Sequence, residues 1–499
     1  MTRQHGGTAG QRGLTRRRLL AGAGGVGGGW LVLRSPRTAF AYDANQRLRL
    51  ALFGNLYNAA AFVTGAHVYN AELVALGNVD QRKIPDIFKK WDELARRLDD
   101  PRNPQQRDAA RRYRRLAQGE GVTIFADIRQ LFGEMADRID ALVVSEYDHL
   151  HGVACGAALR AGKPVCSERP LGRNIHDARR LRALAAETGL PTTYRSPGTG
   201  TGPFRRAIEL VQDGVLGQVQ EVHLWFRRGG PDRDALPQGR QPVPEGLAWD
   251  LWLGPLAWRA YHPDWMSYAH WRETCSGGLG SFGPHTSIFP FLTLGLRELW
   301  DTPGPLIRVR AECSRLNPVS FPRWERVRWE LPARPAGNLP PVTITWHHGP
   351  EYAPGARELI HEKLRPFGVT KPEQADALMK TAGSLLIGTQ GALVADDHSV
   401  HVTALPQNLF EKIETNRPQR IPESRGIYVD WIDACRGEKP HILASFDNGG
   451  PLSELLMLGN IATQFPGENL SYDPLTGQIT NHAEASQRLG CQYRDGWRI

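Results

Sequence analysis

The spacing of apolar and polar positions changes its rule near the middle of the chain. Leu48–Gly54 (LRLALFG), Glu72–Asn78 (ELVALGN) and Ile139–Ser145 (IDALVVS) are near-continuous apolar runs of strand length, and Lys163–Ser167 and Pro191–Tyr194 are shorter β-prone ones. Continuous runs are what a strand buried on both faces needs, and helical segments lie between them. Together they predict a parallel, doubly wound sheet. One helix is expected over His176–Thr188, with Asn174 as its N-cap and Gly189 closing it. From about Val219 the period becomes two. VQEVHLWF, IRVRAEC, RVRWEL, VTITW and the hairpin-like SLLIGTQGALVA predict a second, mostly antiparallel sheet with helices on one side.

Charge first suggests nucleic acid, because the 499 residues carry a formal +9. Its distribution removes that suggestion. Arg3, Arg12, Arg16, Arg17, Arg18, Arg34 and Arg37 fall within residues 1–41, which hold no acid, so the rest of the chain is close to neutral. LTRRRLLAGAGGVGGGWLVL puts three arginines before a weakly apolar, glycine-diluted run, and Ala39-Phe40-Ala41 has the small-x-small form of a cleavage site. The segment resembles a twin-arginine export signal. It predicts an extracytoplasmic, periplasmic location, with no membrane association apart from export.

The remaining chemistry-bearing features narrow the choice. Cys155, Cys166, Cys275, Cys313, Cys435 and Cys491 are scattered, with no C-x-x-C pair, so neither a zinc site nor a disulfide framework is expected. His149, His151, His347 and His348 form no ligand pattern either, and no metal is predicted. The charged stretch Phe88–Gln118 intersperses acids with its arginines and reads as a pair of solvated helices, not a nucleic-acid surface. PGTGTGP (Pro197–Pro203) lacks the Lys-Ser/Thr of a phosphate loop and is expected to be a mobile wall of a pocket.

Several blocks in order carry a resemblance. EYDHLHGVACGAALRAGKPVCSERPL, WDLWLGPLAWRAYHPDW, GGLGSFGPH, YVDWIDACRGEKPHILASFDNGGPLSELLMLGNIA and the terminal YRDGWRI together are similar to the Gfo/Idh/MocA oxidoreductases, from about Leu48 to the last residue. The resemblance implies an N-terminal Rossmann-type parallel sheet plus a C-terminal α/β domain with an open, mostly antiparallel sheet that carries substrate. It also implies a homo-oligomer in the family manner, NAD or NADP as cofactor, and a small carbohydrate as substrate. The expected division is 1–41 signal, 42–196 dinucleotide-binding domain and 197–499 substrate domain.

The same resemblance assigns roles, position by position. In the first turn Gly54 is kept, Asn55 follows, and Leu56 puts a side chain where backbone normally meets pyrophosphate. Asn78 stands where the family usually has a ribose-binding acid, with Asp80 two residues on. Ser145, His149, Glu168 and Arg169 complete the expected cofactor contacts. Arg169 replaces the family's lysine; it can orient ribose or stabilise an alkoxide but cannot act as a base near neutrality. His285 is the expected general base, and Ser281 replaces the aspartate that usually accompanies it. Tyr261, Trp271 and Arg272, with His285, are expected to contact the sugar.

Two readings follow. One is an exported oxidoreductase acting on a sugar or glycoside with a tightly held nicotinamide, because an exported enzyme does best if its cofactor is never released. The alternative is a catalytically inactive relative that binds carbohydrate or a partner, since Leu56, Asn78, Arg169 and Ser281 all depart from the pattern.

Overall fold

The computed structural model describes residues 47–499 apart from 55–70, 268, 409–417 and 439. The signal-like segment, Asn55 and Leu56 lie outside the described residues.

Six strands form the first sheet: β1 (Leu48–Gly54), β2 (Ala71–Gly77), β3 (Thr123–Phe125), β4 (Ala141–Ser145), β5 (Val165–Ser167) and β6 (Thr192–Tyr194). Every pairing is parallel and the order is β3-β2-β1-β4-β5-β6. The order of winding therefore reverses between β1 and β4, the crevice where such sheets bind ligands beyond the carboxyl ends of their strands. β1 and β4 are almost wholly buried, which is why they lack alternation.

Between β2 and β3 lie α1 (Ile84–Leu98) and α2 (Pro104–Ala117), the charged stretch. Trp91, Leu94, Tyr113 and Leu116 are buried, while their polar faces are laced with pairs such as Arg114–Asp99 at 2.6 Å and Lys90–Glu93 at 2.8 Å. This is an amphipathic pair. Next come α3 (Ile128–Met135), α4 (Asp148–Arg160) and α5 (Ile175–Thr188). Asn174 caps α5 by accepting from the Asp177 amide, and Gly189 ends it in the left-handed conformation, φ 63°.

Past α6 (Gly202–Gln212) the second sheet holds nine strands. They are β7 (Val219–Arg227), β8 (Ile307–Cys313), β9 (Glu325–Leu331), β10 (Val342–Gly349), β11 (Ala382–Gly388), β12 (Ala392–Ala395), β13 (Val402–Leu405), β14 (Leu470–Asp473) and β15 (Gln478–Ile479). Their order is β13-β12-β11-β7-β10-β9-β8-β14-β15, antiparallel except where β7 meets β10. Trp225 and Leu385 on one face pack with Ile360 and Met379. Phe226 and Leu386 on the other join the main core with α7 (Gly277–Ser281), α8 (Gly283–Thr293) and α9 (Phe446–Ala462).

The two sheets are tied together by late sequence. α9 packs on α5, and Ser453 Oγ accepts from the Leu171 amide at 3.1 Å. The carboxyl-terminal Ile499 seats against Gly152 and Gly156 of α4. PGTGTGP forms a short turn wedged against the backbone of residues 398–399 and 426–427. Its glycines permit close packing, so it is an anchored element and not the mobile wall expected from its composition. All six cysteines are unpaired. Among the described residues, no helix is long and apolar enough to cross a membrane, and no group of three His, Cys, Asp or Glu could hold a metal ion.

Candidate active site

The switch point is built first. Gly54 ends β1 directly opposite Ser145 at the end of β4. A Cβ there would lie 2.4 Å from the Ser145 carbonyl, and φ is 122°, so only glycine fits where the two strand ends meet. Glu146 follows, half-buried, with its Oε1 out of contact with solvent and lacking a partner. Burial pushes its carboxyl up to about 7 despite the nearby Lys83 ammonium. Lys83 Nζ donates to Tyr147 Oη at 3.1 Å. Glu146 was not foreseen; the only signal was that this acid opens the EYDHLH block.

The remaining cofactor expectations need correction. Asn78 Nδ2 donates to the Gly54 carbonyl at 3.2 Å, and its Oδ1 accepts from the Asp80 amide at 2.9 Å. It is a turn residue that fastens β2 to β1. Asp80 is buried and held by Arg82 through bonds of 2.7 and 2.9 Å, which keep its carboxyl below the usual range. Neither presents an open acceptor to a ribose. His149 has its ring nitrogens 2.6 Å from the Trp252 carbonyl and 3.1 Å from that of Thr274. Burial holds the ring neutral, down to about 4, so it braces α4 against the 249–276 segment.

Nearer the second sheet lies a cavity of about 460 Å³ whose wall includes Arg169, Arg228, His270, Ser281, Phe282 and His348. Arg169 comes from the turn after β5 and donates to Glu168 Oε2 at 2.5 Å; Glu168 Oε1 lies 3.5 Å from Arg195. Ser281 closes α7, and Arg228 stands just beyond β7. The wall carries two arginines, two histidines and no carboxylate. Arg169 and Ser281 are thus brought together as expected.

Four other expected residues are not. His285 is buried behind Phe282, at 5.4 Å between ring centroids, with both ring nitrogens lacking partners. Burial, reinforced by the Arg169 charge, keeps it neutral far below the usual histidine range. It is not on the cavity wall. Tyr261 is buried edge-on against Trp249 at 5.0 Å, and Trp271 donates its indole N–H to the Asp264 carbonyl at 2.6 Å. Arg272 stacks on Phe321 and lines a separate cavity of about 270 Å³. Its guanidinium donates to the Asn317 carbonyl at 2.9 Å and to Thr463 Oγ1 at 3.0 Å. These aromatic and cationic side chains hold the fold, a role that composition alone does not separate from sugar contact.

His348 was passed over as the end of a strand. It sits on β10 directly opposite Glu325 of β9, with Nδ1 3.3 Å from Oε1. Its ring lies parallel to that of Phe226, at 5.6 Å, and Phe226 in turn stacks on Phe282 at 4.1 Å. On the other side it presses on Gly278, where a Cβ would come within 2.6 Å of the ring. The alternation of β10 sends His347 to the opposite face, 3.1 Å from His223.

Comparison with known proteins agrees with this geometry. Residues 73–195 match the model of the oxidoreductase family with an NAD-binding Rossmann fold. Over those residues, the Rossmann part of the chain, it is similar to the Gfo/Idh/MocA oxidoreductases. It is 29% identical over 119 residues to a dTDP-3,4-didehydro-2,6-dideoxy-alpha-D-glucose 3-reductase of Actinomadura kijaniata, covering 24% of this chain and 34% of the relative. It is 30% identical over 100 residues to a 1,5-anhydro-D-fructose reductase of Ensifer adhaerens, 20% and 28% respectively. The matches thus span about a third of the curated relatives' length. The aldose-aldose oxidoreductase of Caulobacter crescentus shares the fold, with TM-score 0.50, 15% identity, and coverage of 85% of this chain and 99% of that one.

Proposed function

We propose that this protein is a nicotinamide-dependent oxidoreductase acting on a secondary alcohol of a carboxylated sugar or sugar derivative, after export by the twin-arginine route. One observation carries the reading. The cavity joins Arg169, from the carboxyl end of a Rossmann strand, to Ser281 and His348 of the second domain. That is where a cofactor on the first sheet and a sugar on the second would meet.

The switch point fits a nicotinamide dinucleotide. Gly54 leaves the β1–β4 crevice clear of a side chain, and Glu146 offers a buried oxygen without a partner. Gly54, Ser145 and Glu146 would hold the dinucleotide, with Arg169 at its sugar-facing end. When bound, the nicotinamide supplies a hydride acceptor. The protein's own residues do the rest: Arg169 stays positive near the reacting oxygen, Ser281 orients a hydroxyl, and a wall with two arginines and no carboxylate favours a carboxylate on the substrate. The sugar class draws support from relatives whose names are those of sugar reductases. The arginine-rich leader supports export, and a retained cofactor follows from it.

The test uses the mature protein purified after folding in the cytosol. Heating should release about one equivalent of nicotinamide nucleotide per chain, and sugar acids should be oxidised faster than their neutral counterparts. No nucleotide, with no thermal shift on adding NAD or NADP, overturns the reading.

A further inference from the structure

We infer that His348, backed by Glu325, is the acid–base residue of this cavity, in place of His285. The inference rests on the oxidoreductase reading above. Glu325 is 1% exposed, with Oε1 accepting the Trp346 indole N–H at 3.1 Å and Oε2 left without a partner. A carboxylate enclosed in this way needs a cation or a proton beside it, because burial of an unpaired charge is costly. Beside it stand the imidazole of His348 and, within electrostatic reach, the Arg272 guanidinium. The His348 Nδ1 faces the carboxylate at 3.3 Å, off the line of an ideal hydrogen bond, and Nε2 is left for the cavity. Dyads of this kind often tighten only when substrate binds.

The ring is also held in place. Phe226 stacks on one side and the backbone of Gly278 closes the other. Glu325 and His348 are cross-strand partners in the register of β9 and β10, so the sheet itself sets their separation. His285 has none of this: no carboxylate, no partner for either nitrogen and no place on the wall.

In oxidation, the substrate's O–H bond breaks and its proton passes to His348 Nε2. A nicotinamide held at the switch point would supply the acceptor for the hydride leaving the same carbon, so that the C–O bond becomes a carbonyl. Glu325 is a positioning residue that holds Nδ1–H and stabilises the imidazolium. The charged and titratable groups facing His348 are Glu325 from β9, Arg228 from beyond β7, Arg169 from the turn after β5, and His270. Among these only Glu325 is an acid.

Three measurements test this. His348→Gln should lower kcat by about 10²- to 10⁴-fold with KM little changed. Glu325→Gln keeps the Trp346 partner; it should lower kcat by about tenfold or more, again with KM held. Independently of turnover, the nucleotide released on heating should stay near one equivalent per chain in both variants, which a loss of the fold would not allow. An active wild type with either variant within about twofold in kcat overturns the dyad and leaves the oxidoreductase reading standing. A wild type that holds no nicotinamide and oxidises no sugar overturns both.

Discussion

At the carboxyl end of the Rossmann sheet the polar side chains are engaged with one another; along the cavity wall they are left with atoms to offer. Asn78 joins two strand ends, Asp80 is clamped by Arg82, and His149 stands between two carbonyls. Across the crevice, His270 Nδ1 has no partner, and Arg228 has no acidic partner among the described residues. Both regions bury polar groups in similar measure. The difference teaches that burial does not mark a working residue: what marks it is burial together with an unfilled hydrogen bond on the side facing a cavity.

Arg169 lies on the boundary, with one guanidinium nitrogen on Glu168 and its Nε buried without a partner. Arg169→Ala should give the largest effect, a fall of about 10²-fold or more in kcat/KM, since a charge held at the reacting oxygen is removed. Arg169→Lys should recover part of it. Full activity in the alanine variant would move the reacting centre away from this wall.

Glu146 sharpens the comparison from the other side, as a group at the switch point with an unmet oxygen. Its folded-state carboxyl is raised to about 7 from an ordinary 4.5. A raised group contributes stability that is complete below the unfolded value and is lost as pH rises through the folded one. Cofactor-free protein should therefore lose on the order of 3 kcal/mol between pH 4.5 and about 7 through this residue. In Glu146→Gln that loss should vanish, which denaturant unfolding at pH 4.5 and pH 8 would read. An unchanged pH profile would mean the carboxyl is solvated.

The two regions were unequally legible in sequence, for physical reasons. The strand runs, the α5 caps at Asn174 and Gly189, and the β11–β12 hairpin were readable because backbone rules act locally. Arg169 and Ser281 were readable because each is a substitution within a recognisable block. His348 was not, because its meaning comes from Glu325, some twenty residues away on a neighbouring strand. His149, Trp271 and Arg272 misled for the converse reason. Their chemistry suits a site, but their partners, mostly backbone carbonyls of distant segments, are set by tertiary packing.

Arg228→Gln tests what the cavity wall offers a substrate. It should raise KM for a sugar acid about tenfold, a charge-assisted bond of roughly 1.4 kcal/mol, with kcat held. KM for the neutral counterpart should not move. An equal rise for both would show that Arg228 shapes the wall without reading charge.

The smallest effect belongs to the engaged side, the Asp80–Arg82 pair. Arg82 is 41% exposed on its side chain, so solvent screens the pair and it should contribute only about 0.5–1 kcal/mol. Asp80 has a lowered carboxyl, chiefly through its bonds to Arg82 once burial is offset. The contribution of a lowered acid is present above its unfolded value and lost as pH falls through the folded one. Asp80→Asn should therefore be less stable than wild type at pH 7, with the difference shrinking as pH falls below 3.8 and gone only below the folded value. If Asp80 is purely a fastening of the turn, cofactor affinity in this variant should fall no further than stability does. A loss of nucleotide binding well beyond that would mean Arg82 releases Asp80 when the dinucleotide arrives, and the engaged region would prove to be a site held closed.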